Sequence, residues 1–307
     1  MKHLLYLKDL NRDTINHILD TADNFLDHDN QPFGSENILE NKTLANLFFE
    51  PSTRTRNTFE IASKKLSADV INIDEEHSSR TKGETLIDTI QTLEAMGVNY
   101  FVIRNKKEGI FNKIIHSIKK GTHLISAGES HISHPTQGLL DLVTIKRKKK
   151  DFTNIKVAIL GDISHSRVTR SLYEGLNIMN TGKIILISPT EYKPDVSIFR
   201  TANYTDDINQ GLKNADVVVT LRVQKERIKD KKQFLNTNEY YKNYGLTTGR
   251  LQLCKKDVIV MHPGPMNRGV EIENEVADGP NSVIREQVTN GIATRMAILS
   301  IMEKNAD

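Results

Sequence analysis

Two doubly wound α/β domains, each built on a mostly parallel sheet, are expected from three features of the chain. Its 307 residues suffice for about two domains at roughly 150 residues apiece. Short β-branched and aromatic runs alternate with stretches of helical length and pattern. These runs fall into two successive series, as expected for parallel sheets covered on both faces. The first series is Thr43 to Phe49, Asp69 to Ile73, Asn99 to Ile103 and Thr122 to Ser126; the second is Lys156 to Leu160, Lys183 to Ile187, Asp216 to Leu221 and Asp257 to Met261. Ligands of such sheets bind at the carboxyl ends of strands. An active site served by both domains is therefore expected in the interdomain cleft, with its residues just after strands.

Helices are expected to join the domains. Gln137 to Lys150 begins with Leu139, Leu140, Leu142, Val143 and Ile145 and ends in Lys146-Arg147-Lys148-Lys149-Lys150, cations that complement the carboxyl end of a helix dipole. Pro135, just upstream, is read as closing an extended segment. Val283 to Lys304 carries Val288, Ile292, Met296 and Leu299 at helical spacing, read as core packing on a helix that returns to the first domain. The domains are thus placed at 1–136 plus 285–307, and at 137–284. No internal repeat or low-complexity segment interrupts them.

Composition excludes several classes. Lys plus Arg number 42 against 39 Asp plus Glu, a net charge of +3 on a well-mixed surface, which is no footprint for nucleic acid. The basic run at 146–150 has no interleaved aromatics and reads as a solvated helix end. No apolar run approaches the roughly 18 residues a membrane span needs. The N-terminal stretch is broken by Lys8 and Asp9 and has no small-residue cleavage site, so a cytoplasmic location is expected. Cys254, the one cysteine, forms no intramolecular disulfide and no thiolate metal site alone. It reads as a packing residue.

The first chemistry-bearing motif follows the first strand: Glu50-Pro51-Ser52-Thr53-Arg54-Thr55-Arg56, then a helical pattern through Phe59, Ile61, Ala62 and Leu66. Pro51 ends the strand, and Ser52 or Thr53 is positioned to cap the helix. A helix start offers unpaired N–H groups and the positive dipole end, hydroxyls add neutral donors, and Arg54 adds a bidentate cation. Together they form a tetrahedral oxyanion site. The bland alternative, an N-cap beside two surface arginines, would suffice for a lone Ser-Thr-x-Thr; the packing of two hydroxyls and two arginines after a strand end favours phosphate.

Ser52-Thr53-Arg54-Thr55-Arg56 resembles the carbamoyl-phosphate signature of the aspartate and ornithine carbamoyltransferases. Further matches run in the family's order: Lys82-Gly83-Glu84-Thr85-Leu86, Arg104, His134-Pro135-Thr136-Gln137, Ser166-Arg167, Arg222-Val223-Gln224-Lys225-Glu226-Arg227, and His262-Pro263-Gly264-Pro265. The resemblance implies that Ser52, Thr53, Arg54 and Thr55 hold phosphate, that Thr55, Arg104 and His134 point at the carbonyl oxygen, and that Gln137 with the backbone of Gly264 and Pro265 receives the carbamoyl NH2. The chemistry agrees, because amine attack builds charge on that oxygen and donors aimed there lower the barrier. The resemblance further implies that Ser78 and Lys82 reach the active site of a neighbouring subunit in a homotrimer. A regulatory chain or other pyrimidine-synthesis enzymes are allowed as partners, and no metal or organic cofactor is required.

Charge separates the family's two branches. Aspartate brings two carboxylates and needs cations; ornithine brings a second ammonium and needs a carboxylate. Arg167 and Arg222 follow successive strands, and by resemblance they grip the carboxylates of L-aspartate, with Gln224 and Lys82 nearby. The ornithine branch carries His-Cys-Leu-Pro where this chain has His262-Pro263-Gly264-Pro265. Enteric relatives carry Leu at the place of Gly264, but the contact there is through backbone. Carbamoyl transfer to L-aspartate is the expected activity, with transfer to another amine such as ornithine as the alternative. A nucleotide-dependent dehydrogenase is disfavoured, since Leu160-Gly161-Asp162-Ile163-Ser164-His165-Ser166 has no G-x-G-x-x-G and the next strand ends Ile187-Ser188-Pro189 without an acid. A phosphate-binding scaffold protein would show a defect in the catalytic set, and none is found.

Overall fold

The computed structural model describes residues 1–34, 37–74, 83–224 and 236–305. The chain divides into two compact units, Met1–Val143 with Thr289–Asp307, and Thr144–Val288. The first contains α1 (Arg12–Asp23), β1 (Thr43–Phe48), α2 (Thr53–Lys65), β2 (Asp69–Asp74), α3 (Leu86–Ala95), β3 (Val98–Asn105), α4 (Ile110–Ile114), β4 (His123–Glu129) and most of α5 (Pro135–Lys149). The second contains β5 (Lys156–Leu160), α6 (Arg167–Ile178), β6 (Lys183–Ile187), β7 (Asn203–Thr205), α7 (Ile208–Leu212), β8 (Val217–Thr220), α8 (Thr237–Tyr244), α9 (Thr248–Leu251), β9 (Ile259–Met261), α10 (Asn274–Ala277) and the start of α11 (Ile284–Lys304). Both dividing points fall inside helices, α5 and α11.

Both sheets are parallel, ordered β2-β1-β3-β4 and β7-β6-β5-β8-β9. In each, the chain runs outward from a central strand in one direction and then crosses over to build in the other. The switch points lie between β1 and β3 and between β5 and β8, where open α/β sheets leave a crevice at the strands' carboxyl ends. The strands read as continuous apolar runs because both faces are covered: every residue of β8 is buried, and Leu44 to Phe48 of β1 are too. One core joins β1 and β3 to α3 and α4 through Ala45, Leu47, Phe101, Ile103, Ile90 and Phe111. A second gathers Ala158, Leu160, Val218, Val260, Ile208 and Leu212.

The structure corrects three local expectations. Pro135 opens α5 rather than closing an extended segment, since proline is pre-set for the first helical position, where its missing N–H is not needed. Ser52 occupies the N-cap position of α2, yet its hydroxyl makes no capping bond. In α11, Met296 and Leu299 are buried, but Val288 is 46% exposed and Ile292 half-buried. That helix is continuously buried from Ala293 to Met302, whereas its first half buries Ile284, Gln287 and Asn290 and leaves Val288 outside. The basic end of α5 is partly neutralised, with Lys148 Nζ 2.7 Å from Glu286 and Lys149 Nζ 2.7 Å from Asp257. No helix among the described residues is long and apolar enough to cross a membrane.

Candidate active site

In the first unit the phosphate motif sits at the switch point. Phe49 N–H donates to Arg104 O at 2.9 Å, so the loop after β1 lies beside the end of β3. Ser52 then starts α2, with its carbonyl accepting from Arg56 N. Thr53 and Arg54 are exposed, Ser52 is half-buried, and Thr55 is buried. Because the Ser52 hydroxyl is not used as a cap, the opening turn of α2 presents that hydroxyl together with its leading N–H groups. Arg104 closes the set from β3. Its Nε donates to Glu50 Oε2 at 3.1 Å and its NH1 to Ala127 O at 3.4 Å, so a carboxylate and a carbonyl hold the guanidinium in place.

His134 and Gln137 come from the next turn along the same sheet. A tight turn after β4, closed by Glu129 N donating to Ser133 O at 2.9 Å, leads into α5. His134 O accepts from Gln137 N at 3.0 Å and from Gly138 N at 3.2 Å, which places His134 at the N-cap position with a buried side chain. Its Nδ1 lies 3.5 Å from Thr136 Oγ1. Glu129 is fully buried and is held by the Tyr6 hydroxyl, which donates to Oε2 at 2.6 Å. Burial first, then this carboxylate, push the Tyr6 hydroxyl's pKa up, which keeps it a donor. Gln137 follows on α5, its Nε2 donating to Asp141 Oδ1 at 3.0 Å.

The second unit assembles its set in the same way. Gly161 follows β5 at φ 137°, where a Cβ would lie 2.6 Å from Leu221 O, so only glycine lets the two strand ends approach. Asp162, fully buried, then joins the loops. Its Oδ1 lies 2.8 Å from His165 Nδ1, and its Oδ2 accepts from Gln224 N at 3.1 Å. Arg167 is the first residue of α6, buried, behind Ser166, whose side chain caps Thr169 N. Arg222 and Gln224 are half-buried. Between them Val223 is buried with Tyr192 and Tyr240. The Tyr240 hydroxyl's pKa is raised well above the usual range, by burial first and then by Glu271 and Asp162.

The loop after β9 is held by an acid and a histidine. Gly264 N donates to His262 Nδ1 at 2.7 Å, which makes Nε2 the protonated nitrogen, facing Glu271 Oε1 at 3.1 Å. Glu271 Oε1 also accepts from Asn267 N at 2.6 Å. Gly264 sits at φ 66°, a left-handed conformation that glycine adopts without strain. His262 and Glu271 thus fix the backbone of Gly264 and Pro265 from beneath.

Within the first unit, Ser52, Thr53, Arg54, Thr55, Arg104, His134 and Gln137 all lie at the carboxyl end of its sheet or on the helices that start there. Arg167, Arg222, Gln224, Gly264 and Pro265 do so within the second. Ser78 and Lys82, and the tail Lys225-Glu226-Arg227 of one motif, lie outside the described residues. Sequence reasoning missed Glu50, Asp141, Asp162, His262 and Glu271 as supports of these groups. Glu50 and Asp162 were signalled by position, each immediately following a strand end. No group of three or more His, Cys, Asp or Glu among the described residues is arranged to hold a metal ion.

Comparison with known proteins agrees along the whole chain. Residues 2–147 match the model of the aspartate/ornithine carbamoyltransferase carbamoyl-P binding domain, and residues 153–302 that of the Asp/Orn binding domain. The chain is 48% identical over 305 residues to the aspartate carbamoyltransferase catalytic subunit of Ruthia magnifica subsp. Calyptogena magnifica, covering 98% of this chain and 93% of that one. Among solved structures it is similar to ornithine carbamoyltransferase from Pyrococcus furiosus, with a TM-score of 0.85 at 25% identity over 99% of this chain and 97% of that one. It is equally similar to aspartate transcarbamoylase from Trypanosoma cruzi in complex with carbamoyl phosphate and aspartate, with a TM-score of 0.85 at 26% identity over 97% and 96%.

Proposed function

Since the chain belongs to the aspartate/ornithine carbamoyltransferase family, we propose that it transfers the carbamoyl group of carbamoyl phosphate to the amino group of L-aspartate, giving N-carbamoyl-L-aspartate and phosphate. The amine lone pair forms a bond to the carbamoyl carbon, the C–O bond to phosphate breaks with its electrons departing on phosphate, and the proton lost by the nitrogen passes to that phosphate. In this reading Ser52, Thr53, Arg54 and Thr55 hold the phosphate. Thr55, Arg104 and His134 donate to the carbonyl oxygen as negative charge builds there. Gln137 and the carbonyl groups of the Gly264–Pro265 segment accept from the carbamoyl NH2. Arg167, Arg222 and Gln224 bind the carboxylates of aspartate, and Ser78 and Lys82 serve the site of a neighbouring chain in a homotrimer.

The observation that carries the choice of amine is the placement of Arg167 and Arg222 at the switch point between β5 and β8. Asp162, in the loop after β5, is engaged by His165 and by Gln224 N, so it structures the loops rather than offering an acceptor to a second ammonium. Gly264, left-handed in the loop after β9, likewise departs from the His-Cys-Leu-Pro of the ornithine branch. The test is to supply purified protein with carbamoyl phosphate and either aspartate or ornithine and to measure carbamoylated product. Carbamoyl aspartate alone is expected. Ornithine turnover comparable to that of aspartate would overturn the assignment.

A further inference from the structure

An amide side chain has a donor end and an acceptor end of nearly the same shape, and only its oxygen can receive an N–H from a carbamoyl group. Something must therefore decide which end of Gln137 faces the substrate. Gln137 Nε2 donates to Asp141 Oδ1 at 3.0 Å, one helical turn further along α5. A carboxylate only accepts, so this contact commits the nitrogen to Asp141 and turns Oε1 away from it.

Asp141 is fully buried, and a buried carboxylate needs a compensating charge. Arg295 on α11 supplies a positive charge that interacts with it electrostatically. The guanidinium is 2% exposed, donates from NH1 to Gly291 O at 2.6 Å, and lies 4.9 Å from the centre of the Phe59 ring. Burial pushes its pKa down to about 9 while the Asp141 carboxylate works against that shift, so Arg295 is a cation at neutral pH. The seat is tightly built, since a Cβ on Gly291 would meet Arg295 NH1 at 3.0 Å and Leu140 Cδ2 at 3.3 Å. Phe59, which the cation covers, belongs to α2, the helix whose first turn carries the phosphate motif.

We propose that Asp141, backed by Arg295, is a positioning residue that sets which end of the Gln137 amide faces the carbamoyl group. This rests on the carbamoyl-transfer reading above. A pair that merely filled the core would give the same buried contacts but would not act through Gln137.

A double-mutant cycle separates the two. Asp141→Asn, nearly the same volume, offers both donor and acceptor and lets the Gln137 amide turn over. It should lower kcat/KM for carbamoyl phosphate about tenfold, the scale of coupling between touching groups. In a Gln137→Ala background the same change should alter kcat/KM by less than about twofold, because nothing is left to orient. An equal loss in both backgrounds, or no loss in the wild type, would overturn the proposal. Arg295→Lys keeps the charge but loses the planar fork, and should show the same dependence on Gln137. If Asp141→Asn does not fold and Arg295→Lys leaves kcat/KM unchanged, the pair is structural and the proposal falls. A wild type inactive with both aspartate and ornithine would instead overturn the underlying reading, and the proposal with it.

Discussion

The His134 imidazole is buried at the N-cap of α5, where its own backbone carbonyl closes the first helical turn. Burial at a helix start is a suitable mount for the donor role proposed for it. His134→Ala should lower kcat roughly 10²- to 10³-fold, the cost of one oxyanion donor, with a much smaller effect on carbamoyl phosphate affinity than Arg54→Ala; steady-state kinetics and calorimetry read the two. An unchanged kcat would remove His134 from the chemistry. Arg222 differs, because the role proposed for it is geometric as well as electrostatic. Arg222→Lys keeps the charge, loses bidentate recognition, and should raise the KM for aspartate without admitting ornithine. Cys254 has no such role. Burial pushes its thiol up to about 11, with Lys156 only partly offsetting the shift, so little thiolate exists at pH 8. Iodoacetamide should label the folded protein roughly a hundredfold more slowly than the urea-unfolded chain, and comparable rates would show the thiol to be accessible and ionisable.

At the scale of elements, the same local rules that build the sheets also place the motif residues. Thr85, in the Lys82-to-Leu86 motif, is the N-cap of α3: its side chain accepts from Asp88 N while the Asp88 carboxylate accepts from Thr85 N. One residue of a functional-looking motif therefore serves as a capping box. Thr85→Ala should cost about 1 kcal/mol of stability, measured as a lower urea midpoint, and no change in midpoint would mean α3 is fixed by packing alone. The long strands were legible because parallel sheets bury both faces and leave unbroken apolar runs. β7 was not, since three half-exposed or exposed residues, Asn203 to Thr205, on a sheet edge carry no period. The site divides along the same line. Ser52, Arg54, Arg104 and Arg167 could be read from their position after strands. Asp141 and Glu271 could not, because each is one of 39 acidic residues until the fold brings it within 3.1 Å of a group it holds. Sequence patterns report on spacing along the chain, whereas these supports are identified only by which side-chain atoms meet.

For the whole molecule, the apolar surface of the first unit bears on assembly. Ile61 on α2 is 42% exposed and Ile71 on β2 is 37% exposed. These elements adjoin, with Glu60 Oε2 accepting from Asn72 Nδ2 at 2.9 Å, and β2 is the edge strand of its sheet. Apolar side chains at an uncovered parallel edge are a liability in a lone chain and fit a surface that another copy covers. In sequence β2 immediately precedes the segment that carries Ser78 and Lys82. A site that takes Lys82 from a neighbour in one rotational direction is a heterologous contact, and it closes most simply as a ring. Complementation tests this assembly. Lys82→Ala and His134→Ala chains are each expected to be inactive alone. Mixed in equal amounts, dissociated and reassociated at random, they should recover about a quarter of wild-type activity, because each mixed trimer holds one site with His134 from one chain and an intact Lys82 from the next. If the hybrids stay inactive while both parents form trimers, Lys82 acts within its own chain. A monomer at assay concentration would rule out the trimer itself.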